Sequence, residues 1–447
     1  MAIDLTSIRA QFPILQQAIA GHPLVYLDNA ATMQKPQAVL DAMDHFYKED
    51  NANVHRGMHA LAERATVAYE NARATVQNFL HAKRTDEIIF VKSATEGINL
   101  VARSFAATHL REGDTILLTK LEHHSNIVPW LQLKEERGIE VQWIDIDDAG
   151  ALRMDQLDRI FAEHRVKLVA VTGQSNVLGV RPDLSAIITH THDVDARVLI
   201  DAAQLAGHAS IDVQNLDCDF LVFSGHKVYG PTGIGVLYGK SELLSTMPPF
   251  LGGGMMIQEV FEDRFTPADP PAKFEAGTPA IAEAIGLATA LEWLEKIPAA
   301  DRAVHEDALL KHAVEQLTPI PGLRLLGPMG NVECGMRNVA TKNYSKLHTT
   351  YHIPHTAYRI PHTPSGCLSF TLDNIHPHDL THLLGEQGIC LRAGHHCTQP
   401  LHRRLGINAS SRLSVALYNT MEEIDRVAPA IMEIQKKFSR PHHGFVR

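Results

Sequence analysis

The sequence predicts an α/β fold: a large domain with a mostly parallel sheet, joined to a smaller α+β domain. Three observations carry this. Short apolar, β-rich runs alternate with helical patterns across residues 85–240, as strand–helix units of a parallel sheet require. Those runs are near-continuously apolar, which suits strands covered on both faces. A long helical pattern at 281–294 and Ile297-Pro298 then give way to mixed helices and strands.

Strands are expected at Ile88–Val91, Thr115–Thr119, Val166–Thr172, Arg197–Ile200, Phe220–Phe223 and Ile234–Tyr238. Apolar residues at Met58, Leu61, Ala65, Ala68, Ala72, Val76 and Phe79 recur every three or four positions, predicting a helix over 58–80. Glu96–Phe105 and Ile127–Lys134 are shorter helices. The large domain is assigned to 22–290, and the small domain to 1–21 with 291–447. Within the latter, about 331–364 shows neither helical nor strand period. It contains Ile353-Pro354-His355-Thr356 and then Ile360-Pro361-His362-Thr363. Two prolines forbid a regular helix, so the segment is read as an atypical insertion.

With 447 residues, 45 % hydrophobic and 21 % charged, the composition is globular, which excludes a disordered or fibrous chain. A net charge of −10 argues against nucleic-acid or anionic-membrane binding. No run approaches the roughly 18 apolar residues that span a bilayer, and the N-terminus lacks a secretory pattern. Five cysteines form no disulfide framework, so a reducing, cytoplasmic location is expected.

Asp201 falls at the carboxyl end of one expected strand, and Ser224-Gly225-His226-Lys227 follows the end of another. Ligands of open α/β sheets bind beyond those ends. Taken singly, Asp201 reads as a helix cap and Lys227 as a solvated loop lysine; their joint placement favours a site. A lysine there can form a Schiff base with a carbonyl cofactor. Pyridoxal 5′-phosphate (PLP) needs such a lysine, an acid at its ring nitrogen and donors for its phosphate. Asp201 supplies the acid, and Ser224, His226 and the strand-to-helix turn Ser93–Gly97 supply donors. In Glu122-His123-His124-Ser125-Asn126, a histidine can stack on a flat ring or the cluster can cap a helix.

Arg392-Ala393-Gly394-His395-His396-Cys397 sets a thiol among cationic groups, which favours thiolate. Arg392 or Arg412 can clamp a carboxylate. Cys218, Cys334, Cys367 and Cys390 read as structural. His395-His396-Cys397 lacks a second Cys/His pair at zinc-finger spacing, and the insertion histidines are irregularly spaced, so no metal is expected.

Together these stretches resemble the group II, SUF-type cysteine desulfurases related to selenocysteine lyase, within the class-V aminotransferase branch of fold-type-I PLP enzymes. Further matching stretches are Tyr26–Thr32, Asn53–Gly57, Glu122–Trp130, Ser175–Gly179, Asp201–Gln204 and Phe274–Pro279, in the family's order. The resemblance implies a seven-stranded large-domain sheet and a homodimer that turns L-cysteine into L-alanine, leaving a persulfide on Cys397. It implies that Lys227 carries PLP, Asp201 pairs with the ring nitrogen and Gln204 with the ring hydroxyl, and His123 stacks on the ring. Thr95, Ser224 and His226 would hold the phosphate, and Thr278 the phosphate of the partner subunit. Asn176 and Arg412 would bind the substrate carboxylate, with Arg392 beside the reactive loop. The sulfur would pass to a SufE-like or SufU-like acceptor for iron–sulfur cluster assembly, and His378 resembles a position that swaps onto zinc of a SufU-like acceptor. L-selenocysteine is an alternative substrate; an aminotransferase or kynureninase-like lyase is an alternative activity. Two departures stand out. Ser93-Ala94-Thr95 replaces an expected Gly-Thr-Thr, and the insertion at about 331–364 replaces a short connection.

Overall fold

The computed structural model describes residues 3–328 and 365–438. The inserted segment at about 331–364, with Cys334, His348, His352, His355 and His362, lies outside the described residues. Seven strands form the large sheet: β1 (Ile88–Val91), β2 (Thr115–Thr119), β3 (Glu140–Ile144), β4 (Val166–Thr172), β5 (Arg197–Asp201), β6 (Phe220–Ser224) and β7 (Gly235–Gly239). Their order is β1-β7-β6-β5-β4-β2-β3. Only β7 runs antiparallel to its neighbours. Apart from β3, Lys167 in β4 and Arg197 in β5, these strands are buried along their length, because helices cover both faces. One face packs Val169, Val171, Ile200 and Phe223 against helices Ala60–Leu80 and Ile281–Glu295. The other packs Leu118, Ala170 and Val222 against Ile98, Phe105 and Trp130.

The helix expected from Met58 begins at Ala60, because His59 caps it: its Nδ1 accepts the Ala62 N–H at 3.2 Å. Met58 is fully exposed and Leu61 is 40 % exposed, whereas Ala62 and Tyr69 take the buried stripe. The helix stops at His81, in the left-handed region at φ 53°, a common helix ending.

A second sheet is wholly antiparallel: β8 (Leu323–Leu326), β9 (Cys367–Leu372), β10 (Arg392–Gly394) and β11 (Ser410–Ser414), ordered β8-β9-β11-β10. Leu368, Phe370 and Leu413 share its core with Leu310, Leu317 and Ile431 of helices Ala299–Leu317 and Val427–Phe438. The N-terminal segment, expected with this unit, straddles both. Phe12 stacks edge-on to Trp293 at 5.4 Å and also lies 4.6 Å from Tyr418. Val25–Tyr26, expected in the large domain, pairs instead with Ile389–Cys390, because Val25 and Leu27 complete the apolar core beneath β9. Among the described residues no helix is long and apolar enough to cross a membrane.

Candidate active site

A cavity of about 350 Å³ opens where the carboxyl ends of the large-sheet strands face the smaller sheet. Strand order brings its residues together from distant parts of the chain. The ends of β5 and β6 deliver Asp201, Gln204, Ser224, His226 and Lys227. The ends of β1, β2 and β4 deliver Thr95, His123 and Asn176; the smaller sheet closes the cavity with Arg392 and Arg412, and the loop after β10 with Cys397. Thr278 is exposed and does not line this cavity.

Lys227 lies at the end of a single tight turn, Gly225–Lys227. Burial pushes its pKa down to about 8, against the pull of Asp201. The Asp201 carboxylate accepts the Ala203 N–H at 3.0 Å; burial raises its pKa, and Lys227 opposes that rise. His123 Nδ1 accepts the Ser125 N–H at 3.1 Å, so the ring hydrogen sits on Nε2. Burial, reinforced by Lys227, pushes the His123 pKa down to about 3 and keeps the ring neutral. His226 is neutral for the same reason, with its pKa pushed down to about 4.

The turn at Ser93–Thr95 differs from the expectation in one respect. The Ala94 N–H donates to Ser224 Oγ at 2.9 Å. It is therefore spent on orienting Ser224, whose hydroxyl hydrogen stays available to a ligand. Thr95 Oγ1 lies 2.7 Å from Ser125 Oγ, which brings Ser125 to the same end of the cavity. Gly235 permits this crowding, since a Cβ there would meet Ser93 Cα at 2.7 Å.

Arg392 and Arg412 are directly opposed on β10 and β11. Like charges so placed repel, and Asp28 bridges them: its Oδ1 lies 3.1 Å from Arg412 Nη2 and its Oδ2 3.6 Å from Arg392 Nη1. Arg412 Nη1 donates to the Asn176 carbonyl at 3.0 Å. Arg412 Nε is buried without a hydrogen-bond partner, and Nη1 and Nη2 each keep a hydrogen that a carboxylate can take.

Cys397 is half-buried and shares the cavity with Lys227. Its segment is tied down from two sides. The His124 N–H donates to the Cys397 carbonyl at 2.7 Å, and the Gln399 N–H to His124 Nε2 at 3.0 Å. Asn176 Nδ2 donates to the His396 carbonyl at 2.8 Å. His396 and Cys397 both adopt left-handed backbone, at φ 48° and 56°, a conformation that costs energy in non-glycine residues. The tethers offset that cost and hold the thiol toward the cavity.

Sequence reasoning assigned no role to Asp28, Ser125 or Glu122. All three lie in stretches that resembled the family, but their partners are distant or buried. Glu122 is fully buried, and burial pushes its pKa up to about 8. It accepts from Thr119 Oγ1 at 2.6 Å, Asn126 Nδ2 at 2.7 Å and the Thr172 N–H at 2.9 Å, joining β2 to β4 beneath His123. Glu122→Ala orphans three buried donors. It should destabilise the protein by about 2–4 kcal/mol, measured by urea unfolding of wild type and variant.

The Aminotransferase class-V family description matches residues 25–351 and 329–427. A cysteine desulfurase of Dickeya dadantii is 44 % identical over 430 residues, covering 96 % of each chain. One from Synechococcus elongatus is 45 % identical over 435 residues, covering 97 % of this chain; the chain spans 64 % of that relative's length. The crystal structure of the Escherichia coli cysteine desulfurase CsdA superposes with a TM-score of 0.84 at 39 % identity, covering 98 % of this chain and 100 % of that one.

Proposed function

The chain belongs to the class-V aminotransferase family, alongside its cysteine desulfurases, and from that premise we propose that it converts L-cysteine to L-alanine and holds the sulfur as a persulfide on Cys397. The observation that carries this reading is the convergence of Lys227, Asp201, Arg412 and Cys397 on one cavity.

The residues fit PLP. The buried amine of Lys227 lies within electrostatic reach of a buried acid, Asp201. The far end of the cavity collects hydroxyls and a neutral imidazole, from Thr95, Ser125, Ser224 and His226, which is a donor set for phosphate. Bound PLP supplies a sink for the electrons released at the substrate Cα.

The protein's own groups do the rest. Lys227 Nζ, easily neutral once buried, would hold the cofactor by its carbonyl and would be the base for the substrate Cα proton. Asp201 would hold the proton at the ring nitrogen. Gln204 Nε2, with one hydrogen given to the Ala30 carbonyl at 2.8 Å, keeps another for the ring hydroxyl. His123, which lines the same cavity, would stack on the ring and keep its Nε2–H as a donor. Arg412 and Asn176 receive the substrate carboxylate, and Arg392 flanks the reactive loop. Cys397 Sγ, as thiolate, attacks the substrate sulfur. The new S–S bond would form as the Cβ–S bond breaks; Cβ would take one proton and Cα would regain one from Lys227, giving alanine.

A protein acceptor, SufE-like or SufU-like, would then take the sulfur toward iron–sulfur cluster assembly. His378 supports docking at this mouth: it is exposed, and a Cβ at Gly394 would lie 3.6 Å from its Nε2. A homodimer gives Thr278 its role, since it reaches no part of its own cavity. Thr278→Ala should weaken PLP binding about tenfold, the value of one hydrogen bond to a charged group, measured by equilibrium dialysis, with the dimer intact by gel filtration. The function itself is tested by incubating PLP-loaded enzyme with L-cysteine. Alanine and protein-bound persulfide should appear in equal amounts in the first turnover. Absence of alanine, or transfer of the amino group to an added oxo acid instead, would overturn the reading.

A further inference from the structure

His396 is 6 % exposed and Arg412 2 % exposed, and both line the cavity. Each has one buried atom without a partner: His396 Nδ1 and Arg412 Nε. The first can be assigned as an acceptor. His396 Nε2 lies 3.2 Å from both the carbonyl oxygen and Oγ of Ser410. A carbonyl only accepts, so Nε2 carries the ring hydrogen and Nδ1 is a bare lone pair.

The neighbouring histidine enforces that assignment. His402 Nδ1 lies 3.2 Å from the Thr398 carbonyl and 3.1 Å from Thr398 Oγ1, whose hydrogen goes to the His395 carbonyl at 2.8 Å; Nδ1 therefore donates, leaving His402 Nε2 to accept from Ser410 Oγ at 3.1 Å. Ser410 Oγ has then given its only hydrogen and can only accept from His396. The chain of bonds has one direction, from His396 through Ser410 to His402.

Ser410 and Arg412 are two apart on β11 and face the same side of it. A ring whose Nε2 rests on Ser410 therefore lies on the side of the strand that carries the Arg412 side chain. Arg412 is also the charged group with the largest influence on His396; with burial, it helps push that pKa down to about 2. The ring stays neutral, and its lone pair is retained.

Resting on the desulfurase reading, we propose that His396 is a positioning residue for Arg412. In the substrate-bound state its Nδ1 accepts the Arg412 Nε–H and turns the guanidinium's terminal nitrogens to the incoming carboxylate. Nη1 and Nη2 are each held by one contact, to the Asn176 carbonyl and to Asp28, and each keeps a second hydrogen for the substrate. Without the Nδ1 acceptor, the fork is fixed at its terminal nitrogens only and shares its charge with Asp28.

Two substitutions separate this role from simple packing. In His396→Asn the amide oxygen takes the place of Nδ1; in His396→Gln the amide nitrogen takes the place of Nε2, keeping the Ser410 contact but losing the acceptor. KM for L-cysteine should rise about tenfold in His396→Gln, the value of a hydrogen bond to a charged group, and substantially less in His396→Asn. Cysteamine, which has the thiol and amine but no carboxylate, should inhibit wild type and both variants with the same constant. An Asn variant as impaired as the Gln variant, or a parallel loss of cysteamine affinity, overturns the proposal. Those outcomes leave the desulfurase reading standing, whereas a wild type that makes no alanine removes that reading instead.

Discussion

Lys227→Ala is expected to abolish alanine formation from L-cysteine, a loss on the order of 10⁴-fold, and to leave a protein from which PLP dialyses away. Lys227 is the nucleophilic amine that lines the cavity within electrostatic reach of Asp201. On the proposed function it would serve twice: as the covalent anchor of the cofactor, and as the base beside the substrate Cα. Lys227→Arg keeps the positive charge, cannot make the covalent bond, and should be as inactive. Persistence of a lysine-bound PLP chromophore after borohydride reduction and dialysis of Lys227→Ala would show that another lysine carries the cofactor.

The same residue sets a pH dependence whose sign is fixed by burial. Only a neutral amine attacks a carbonyl. With its pKa pushed down from 10.5 to about 8, Lys227 is half neutral near pH 8 instead of a small fraction neutral. The rate at which apoprotein takes up PLP should therefore rise through pH 8 and level off above it. A rate still climbing through pH 10 would mean that the lysine keeps an ordinary pKa. Between those two values the unfolded chain binds the extra proton, so this group makes apoprotein stability rise with pH across that window.

Most of the large sheet could be read from local pattern, because fully buried strands such as Ile88–Val91 carry an unbroken apolar run. β3 could not. Glu-Val-Gln-Trp-Ile lies at the sheet's edge and is mostly half-exposed or exposed, so its sequence resembles a polar connection. The residues at strand ends, Asp201 and Lys227, were legible because chemistry and position coincide there. Asp28 was not, since its meaning depends on two arginines more than 360 positions away, brought face to face by the register of β10 on β11. The anchoring of Cys397 is likewise non-local: His124 and Asn176 hold the loop across the cavity. Nothing in Gly-His-His-Cys indicated that one histidine would be a buried neutral acceptor; that follows from Ser410 and His402.

Cys397→Ser should separate the sulfur chemistry from the cofactor chemistry. A serine hydroxyl matches the thiol in shape, and none of the bonds holding the loop uses the Cys397 side chain: they run through its carbonyl and through its N–H, which donates to His395 Nδ1 at 3.2 Å. PLP binding and the cofactor's response to L-cysteine should therefore survive. Alanine formation should fall by on the order of 10³-fold, with no protein-bound persulfide by mass spectrometry. Oxygen fails where sulfur succeeds because a hydroxyl stays protonated near neutral pH and bonds poorly to divalent sulfur, whereas a thiol ionises readily. The alternative class-V activities need no such atom: moving an amino group or cleaving a carbon–carbon bond leaves the substrate sulfur untouched. Full alanine output from Cys397→Ser would thus remove Cys397 from the mechanism and force the sulfur to leave by another route. Loss of persulfide together with loss of alanine would tie Cβ–S cleavage to attack by this thiol, since Cβ can leave as a stabilised carbanion only if a nucleophile takes the sulfur from it.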